Sequence, residues 1–386
     1  MKRKTVFLDQ GEFMGGAEHF LLDFLNELSP TEIRRLNPIV LGGECDLYQL
    51  RLPENIERQP FALPAVKGGK IAKIIALVKL VFTARRLKSE LKLQAATQLF
   101  TNTPRAHLVA LLLKKVWGWK GIWIVMVHDF TTKPESLLRR IGTQADVVIA
   151  NSLPTRHWLK KALTNKDQSK LRLIENGVKL SAVNQPAPQL MTVLNLSRID
   201  VQKGQMYFAE AADLLQDRNP DLTFCIVGDS VKEDPSTQVY ETKVRAFVAD
   251  RRVENLSFKP GVKQPLKTIN EYDGLVFTPT EPETFGRVVI EALSLGKLVI
   301  AFDQTGPKEI LEHYERWLLK NKDFQPKEPH WLLVEPNNAM SLAERIAYFA
   351  DNPSEVKQYT QHAAEFVQQN YSLEETKKRL LAVLMP

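Results

Sequence analysis

Two glutamates eight residues apart, Glu283 and Glu291, bracket the dipeptide Phe285-Gly286 in the stretch TPTEPETFGRVVIEALSLGKLVIA, residues 278–301. Apolar residues at helical spacing, Val288, Val289, Ala292, Leu293 and Leu295, run through the second glutamate. Apolar runs at 274–277 and 297–301 read as buried strands on either side, so the order is strand, loop, helix, strand. In an open parallel sheet, ligands gather at the carboxyl ends of the strands, where helix N-termini offer unpaired N–H groups. Two carboxylates at such a place repel a phosphate, and their fitting partners are hydroxyl donors, such as those of a sugar or a ribose. The bland alternative is a surface glutamate and a loop acid.

A phosphate there needs cations from elsewhere in the chain. The segment SRIDVQKGQ supplies them: it follows a predicted strand at 190–196 and sets Arg198 and Lys203 about a tight loop, ahead of a helix starting near Gly204. Capping by Arg198 and simple solvation of Lys203 are the alternatives.

These residues resemble the nucleotide-sugar site of retaining glycosyltransferases of family 4, enzymes of the GT-B fold. The resemblance implies that Glu291 takes the donor ribose hydroxyls and that Glu283 faces the sugar hydroxyls. It implies that Phe285 and Gly286 present backbone amides to the sugar phosphate, and that Arg198 and Lys203 hold the diphosphate. VGD, with Gly228, and the later Pro260-Gly261 match the family's surroundings of the base. Near the start, GGAEHFLLDFLNEL resembles the family's GGAE segment, in which Gly15 and Gly16 shape the acceptor side near the donor phosphate. Predicted strands at 98–101 and 122–127 bring Asn102 and His128-Asp129 to strand ends. The family position matching His128 contacts the donor sugar near the reacting carbon. A cap or core histidine is the alternative. Two departures stand out: Lys179 follows Asn-Gly-Val where the family commonly has Asp, and residues 315–331 exceed the usual linker, with Trp331 in place of an expected glycine.

The implied architecture is α/β, two Rossmann-like domains facing each other across a cleft. Residues 1–180 form the acceptor- and membrane-facing domain, 190–370 the nucleotide-sugar domain, and 371–386 a helix crossing back to the first. The implied reaction is metal-independent hexosyl transfer with retention by a same-face route. There is no Asp-x-Asp and no His/Cys/Asp cluster at metal-ligand spacing, so the expected cofactor and metal are none. Arg198, Lys203 and helix N-termini then stabilise the leaving diphosphate, with His128 and Glu283 at the reacting sugar.

A chain of 386 residues, 44% hydrophobic and 25% charged, has the composition of a soluble globular protein with two cores. Cys45 and Cys225 lie far apart and suggest neither a disulfide framework nor zinc. The apolar run near the N-terminus is too short for a signal peptide, and no segment reaches ~20 uninterrupted apolar residues. The expected location is cytoplasmic, peripheral on the inner face of the plasma membrane.

Charge is uneven: residues 1–188 carry 29 Lys and Arg against 16 Asp and Glu, the remainder 23 against 29. Such a basic half points to a polyanionic partner. Residues 67–92 concentrate it, with eight basic residues and one acidic. There Ile71, Ile74, Ile75, Val78, Val81 and Phe82 fall on one helical face, the composition of a helix lying in an anionic bilayer interface. A core-packed helix with a solvated basic side is the alternative. In KKVWGWKGIW, three tryptophans among lysines suggest a further lipid, protein or nucleotide contact. The expected partners are therefore a nucleotide sugar, a glycan or lipid-linked acceptor and an anionic membrane. A soluble acceptor is the alternative within the fold. Nucleic-acid binding by the basic half is a reading from another class, set aside because it leaves Glu283, Glu291, Arg198 and Lys203 unexplained.

Overall fold

The computed structural model describes residues 4–10, 15–42, 52–64, 69–128, 130, 135–180, 188–232 and 234–385. Asp129, Cys45, residues 67 and 68 of the basic segment and residues 181–187 of the Pro-rich linker lie outside these. The chain divides into two compact units, residues 1–177 with 373–386, and residues 178–372.

The first unit runs β1 (Thr5–Leu8), α1 (Gly16–Asn26), α2 (Pro30–Leu36), β2 (Pro38–Gly42), β3 (Glu57–Pro60), α3 (Lys70–Leu93), β4 (Gln98–Thr101), α4 (Pro104–Lys115), β5 (Ile122–Val127), α5 (Glu135–Gln144), β6 (Val147–Ala150), α6 (Leu153–Ala162) and β7 (Leu171–Leu173). Its strands pair in parallel in the order β3-β2-β1-β4-β5-β6-β7. The central strands β1 and β4 are buried at every position because both faces are covered. Alternate side chains supply two cores: Val6, Leu8, Leu99, Trp123 and Val125 on one face, Phe7, Phe100, Ile124 and Met126 on the other. The second face is closed by α1, through Phe20 and Phe24, and by the last helix of the chain (Leu373–Leu384), through Leu380 and Leu384.

The second unit runs β8 (Thr192–Leu196), α7 (Gln205–Leu215), β9 (Thr223–Val227), α8 (Pro235–Arg251), β10 (Leu256–Lys259), α9 (Pro265–Asn270), β11 (Gly274–Phe277), α10 (Arg287–Ser294), β12 (Leu298–Phe302), α11 (Thr305–Asn321), β13 (Leu333–Val334), α12 (Ala339–Asp351), α13 (Pro353–Thr360) and α14 (Ala363–Asn370). Its parallel sheet has the order β10-β9-β8-β11-β12-β13. The order reverses between β8 and β11, the two strands that lead into the loops carrying Arg198, Lys203 and Glu283.

Residues 353–370 form two helices, α13 and α14, because the Tyr359 carbonyl, which a continuous helix would pair with the amide of Ala363, accepts the Tyr314 hydroxyl. One expectation changes. The tryptophans of KKVWGWKGIW are largely framework. Trp123 is fully buried and donates from Nε1 to Thr101 Oγ1 at 3.0 Å, and Trp117 donates to the Val81 carbonyl at 3.0 Å. An indole that packs and hydrogen-bonds within the fold is not spare for a partner.

Candidate functional site

In the second unit the loops after β8 and β11 are sewn together. Thr278 Oγ1 donates to the Lys203 carbonyl at 2.9 Å, the Thr280 amide to the Gln202 carbonyl at 3.0 Å, and Thr280 Oγ1 to the Val201 carbonyl at 2.9 Å. Gln205, fully buried, holds the first loop from beneath, donating to Ser197 Oγ at 2.8 Å and to the Arg198 carbonyl at 2.9 Å. The second loop is braced by α11: the Gly306 amide donates to the Glu283 carbonyl at 2.8 Å, and the Thr305 hydroxyl to the same oxygen. A Cβ at Gly306 would lie 2.6 Å from the Phe285 backbone, so only glycine lets the two segments approach this closely. Gly286 caps α10 with φ +83°, a left-handed backbone that glycine adopts without strain.

This scaffold gathers the charged residues. Lys203 Nζ contacts Glu283 Oε2 and sits 5.5 Å over the Phe277 ring. Arg198 pairs with Asp200 at 2.8 Å. Glu291, buried, accepts Arg287 Nε at 2.7 Å across one helical turn. A carboxylate this far from water is costly unless paired, and Arg287 offsets that cost. Phe285 is buried and meets Tyr371 edge-on, 6.0 Å between ring centroids. Gly228 directly follows β9, its amide donating to the Lys259 carbonyl at 3.1 Å. Arg198, Lys203, Glu283, Phe285, Gly286 and Glu291 therefore lie on or beside one pair of joined loops. Asp200, Gln205, Thr278 and Arg287 went unrecognised in the sequence. The four-residue spacing of Arg287 and Glu291 was a visible signal. The inter-loop bonds, between residues some 80 positions apart, left none.

The first unit holds a separate polar cluster at the carboxyl ends of β1, β4 and β5. His128 Nε2 donates to Asn102 Oδ1 at 2.8 Å; Asn102 Nδ2 donates to Asp9 Oδ2 at 3.1 Å and to the Ala17 carbonyl at 2.9 Å. Gly15 precedes α1, next to Gly16, and its amide donates to Glu18 Oε2 at 2.9 Å. Asp9, Glu18 and Asn102 are buried. Burial, with neighbouring His107 adding to it, pulls His128 down to about 3, and burial pulls His107 itself to about 3. Burial, reinforced by the Asp9 carboxylate, pushes Glu18 up to about 8. At neutral pH His128 is thus a neutral hydrogen-bonding group, and Glu18 holds its proton. The buried pair Asp9 and Glu18 was not anticipated.

These shifts predict a pH profile for the first unit. Both histidines take up protons more readily in the unfolded chain, so their burial costs stability as pH falls below about 6.5. Glu18 takes up its proton more readily when folded, a gain complete below its ordinary value and lost as pH rises through about 8. Stability should peak near pH 6.5, falling on either side by up to about 1.4 kcal/mol per pH unit for each unmatched proton. Hydrogen exchange of the β4 and β5 amides across pH, corrected for intrinsic rates, measures it. Glu18→Gln should flatten the alkaline limb, and an unchanged alkaline limb would overturn the assignment.

Among known proteins, a pair of parallel sheets of this kind is the GT-B architecture of glycosyltransferases. Residues 179–366 match the family model for Glycosyl transferases group 1, so the second unit carries a domain of that type. The 2-deoxystreptamine N-acetyl-D-glucosaminyltransferase of Niallia circulans is 25% identical over 330 residues, covering 82% of this chain and 69% of the relative. Anabaena HepE, solved in complex with UDP and glucose, matches with a TM-score of 0.76 at 21% identity over 99% of each chain. Sucrose-phosphate synthase from Thermosynechococcus elongatus matches with a TM-score of 0.78 at 16% identity, covering 99% of this chain and 98% of the other.

Proposed function

We propose that this protein is a retaining, metal-independent glycosyltransferase of family 4. It moves a sugar from a nucleoside diphosphate sugar to a hydroxyl of a membrane-held, lipid-linked glycan of lipopolysaccharide, capsule or exopolysaccharide type. The observation carrying the donor half is the pair of joined loops, which sets two cations and two carboxylates at the end of one sheet. In this reading Arg198 and Lys203 exchange their carboxylate partners for diphosphate oxygens, and the released Glu283 accepts sugar hydroxyls. Glu291, oriented by Arg287, accepts from the ribose. The amides of Phe285 and Gly286 face the sugar phosphate, and Gly228 borders the base.

As the bond from the anomeric carbon to the leaving phosphate oxygen breaks, negative charge grows on that oxygen beside the two cations, which favours the transition state over the ground state. The acceptor hydroxyl forms its new bond from the same face, and its proton passes to the departing phosphate oxygen. Gly15, Gly16 and His128 are assigned to the sugar end of the donor on their resemblance alone. His128, neutral, serves there by hydrogen bonding.

The donor reading is tested by thermal shift against UDP, GDP, ADP and TDP and their sugars, with and without EDTA. The complex of HepE makes UDP the first candidate. A rise with one nucleotide that EDTA leaves in place is expected, and no rise with any of them would overturn the reading.

For the acceptor, the relatives' names point to soluble compounds, while α3 supports a membrane. Ile71, Ile74 and Phe82 on this helix are 76%, 63% and 62% exposed. Among the described residues no helix is long and apolar enough to cross a membrane, so the contact would be with its surface.

A further inference from the structure

We infer a second ligand site on the second unit, one for a neutral saccharide, built by the segment that departs from the family pattern. Trp331, at the end of the long connection after α11, and Tyr348 of α12 stand edge to face, centroids 5.1 Å apart and planes at 89°. They line a cavity of about 370 Å³, within the range of small-molecule sites. No lining residue belongs to the loops that carry Arg198, Lys203, Glu283 and Glu291.

The chemistry of the walls selects the ligand. Arg345 lies 3.4 Å over the Trp331 ring and donates to the Trp331 and Leu333 carbonyls, which fixes one face of the indole. Lys327 reaches across Tyr348 at 4.2 Å and Trp331 at 5.0 Å. The indole Nε1 is buried and has no hydrogen-bond partner among the described residues. Three cations, Arg218, Lys327 and Arg345, share the cavity with two acids, Glu344 and Asp351. An anion would meet both carboxylates and a cation all three basic groups. A polyhydroxyl ring suits the mixture, since its hydroxyls donate to carboxylates and accept from cations. A glycan being extended is the natural occupant. That role rests on the proposed function; the binding itself does not.

The test is an indole N–H resonance experiment on the full chain, with maltotriose, chitotriose and mannotriose as neutral probes and inorganic phosphate as the anionic one. At least one trisaccharide should move the Trp331 Nε1–H signal with millimolar affinity. Trp331→Ala should weaken binding of that trisaccharide at least about tenfold. Asp351→Asn, a surface change that spares the core, should weaken it as well. The nucleotide thermal shift should stay as in the parent in both variants, so that loss of this site and failure of the donor reading are told apart. No movement with any trisaccharide, movement with phosphate alone, or full affinity in both variants would overturn the proposal.

Discussion

Lys203→Ala should lower kcat for sugar transfer by about 10²–10³, the scale on which loss of one group stabilising transition-state charge is felt. Glu291→Gln should act mainly on KM. The difference follows from what each side chain meets. In the proposed reading Lys203 sits where charge grows as the phosphate departs, so its contribution is larger in the transition state than in the bound donor. Glu291 is proposed to accept from ribose hydroxyls, which change little along the reaction, and uniform binding of that kind appears in KM. The structure also shapes the choice of variant. Glu291 is buried against Arg287 at 2.7 Å, so alanine would strand a guanidinium, whereas glutamine keeps the shape and an acceptor oxygen. Among the described residues Lys203 pairs with Glu283 and contacts Phe277, at a partly exposed position, so alanine there spares the core. Steady-state kinetics with varied donor separate the two effects. Near-parent kcat in Lys203→Ala together with near-parent KM in Glu291→Gln would overturn the site.

Much of this arrangement was legible before any coordinates. Strands buried on both faces read as largely apolar runs, so β5, β9 and β11 fall where the sequence puts them. The two charged loops were legible as a candidate site because charged residues at fixed spacing beside glycines and a helix start have few structural uses. What escaped was contact between distant segments. Nothing in the spacing shows that Thr278 and Thr280 bind the backbone of residues 201–203, or that the Tyr314 hydroxyl takes a carbonyl from the helix at 353–360. Burial also escaped: Asp9 and Glu18 look like ordinary acids until the sheet and α1 enclose them. The tryptophans misled for the same reason, since an indole suits a core as well as a surface.

Removing the apolar face of α3 should release the protein from anionic vesicles. The helix divides along its length and around its girth. Ala76, Leu80, Ala84, Leu87 and Leu91 are buried against the first unit, while Ile71, Ile74, Ile75, Leu77, Val78 and Phe82 face outward in its first half. A contiguous exposed patch of this size is uncommon on a soluble surface and marks contact with another phase or partner. Its second half is basic, but those cations are not equally spare. Arg85 lies over Trp117, Arg86 over Phe61, and Lys88 donates to the Trp117 carbonyl at 2.6 Å, so replacing them would disturb packing as well as charge. The cleaner variant combines Ile74→Ser with Phe82→Ser, positions 63% and 62% exposed, where a fold already tolerant of solvent loses little. Each of these side chains is worth about 1.5–3 kcal/mol when fully buried, so half-insertion makes the pair worth about 10- to 100-fold in partition. Lys79→Ser should cost about fivefold, and that part alone should fade with salt, being electrostatic. Hydrolysis of free donor should be unaffected in both variants, which separates docking from chemistry. Sedimentation with phosphatidylglycerol vesicles reads the partition. If the double variant binds them as the parent does, the exposed face is not the docking surface. If the parent does not bind at all, a soluble acceptor becomes the better reading.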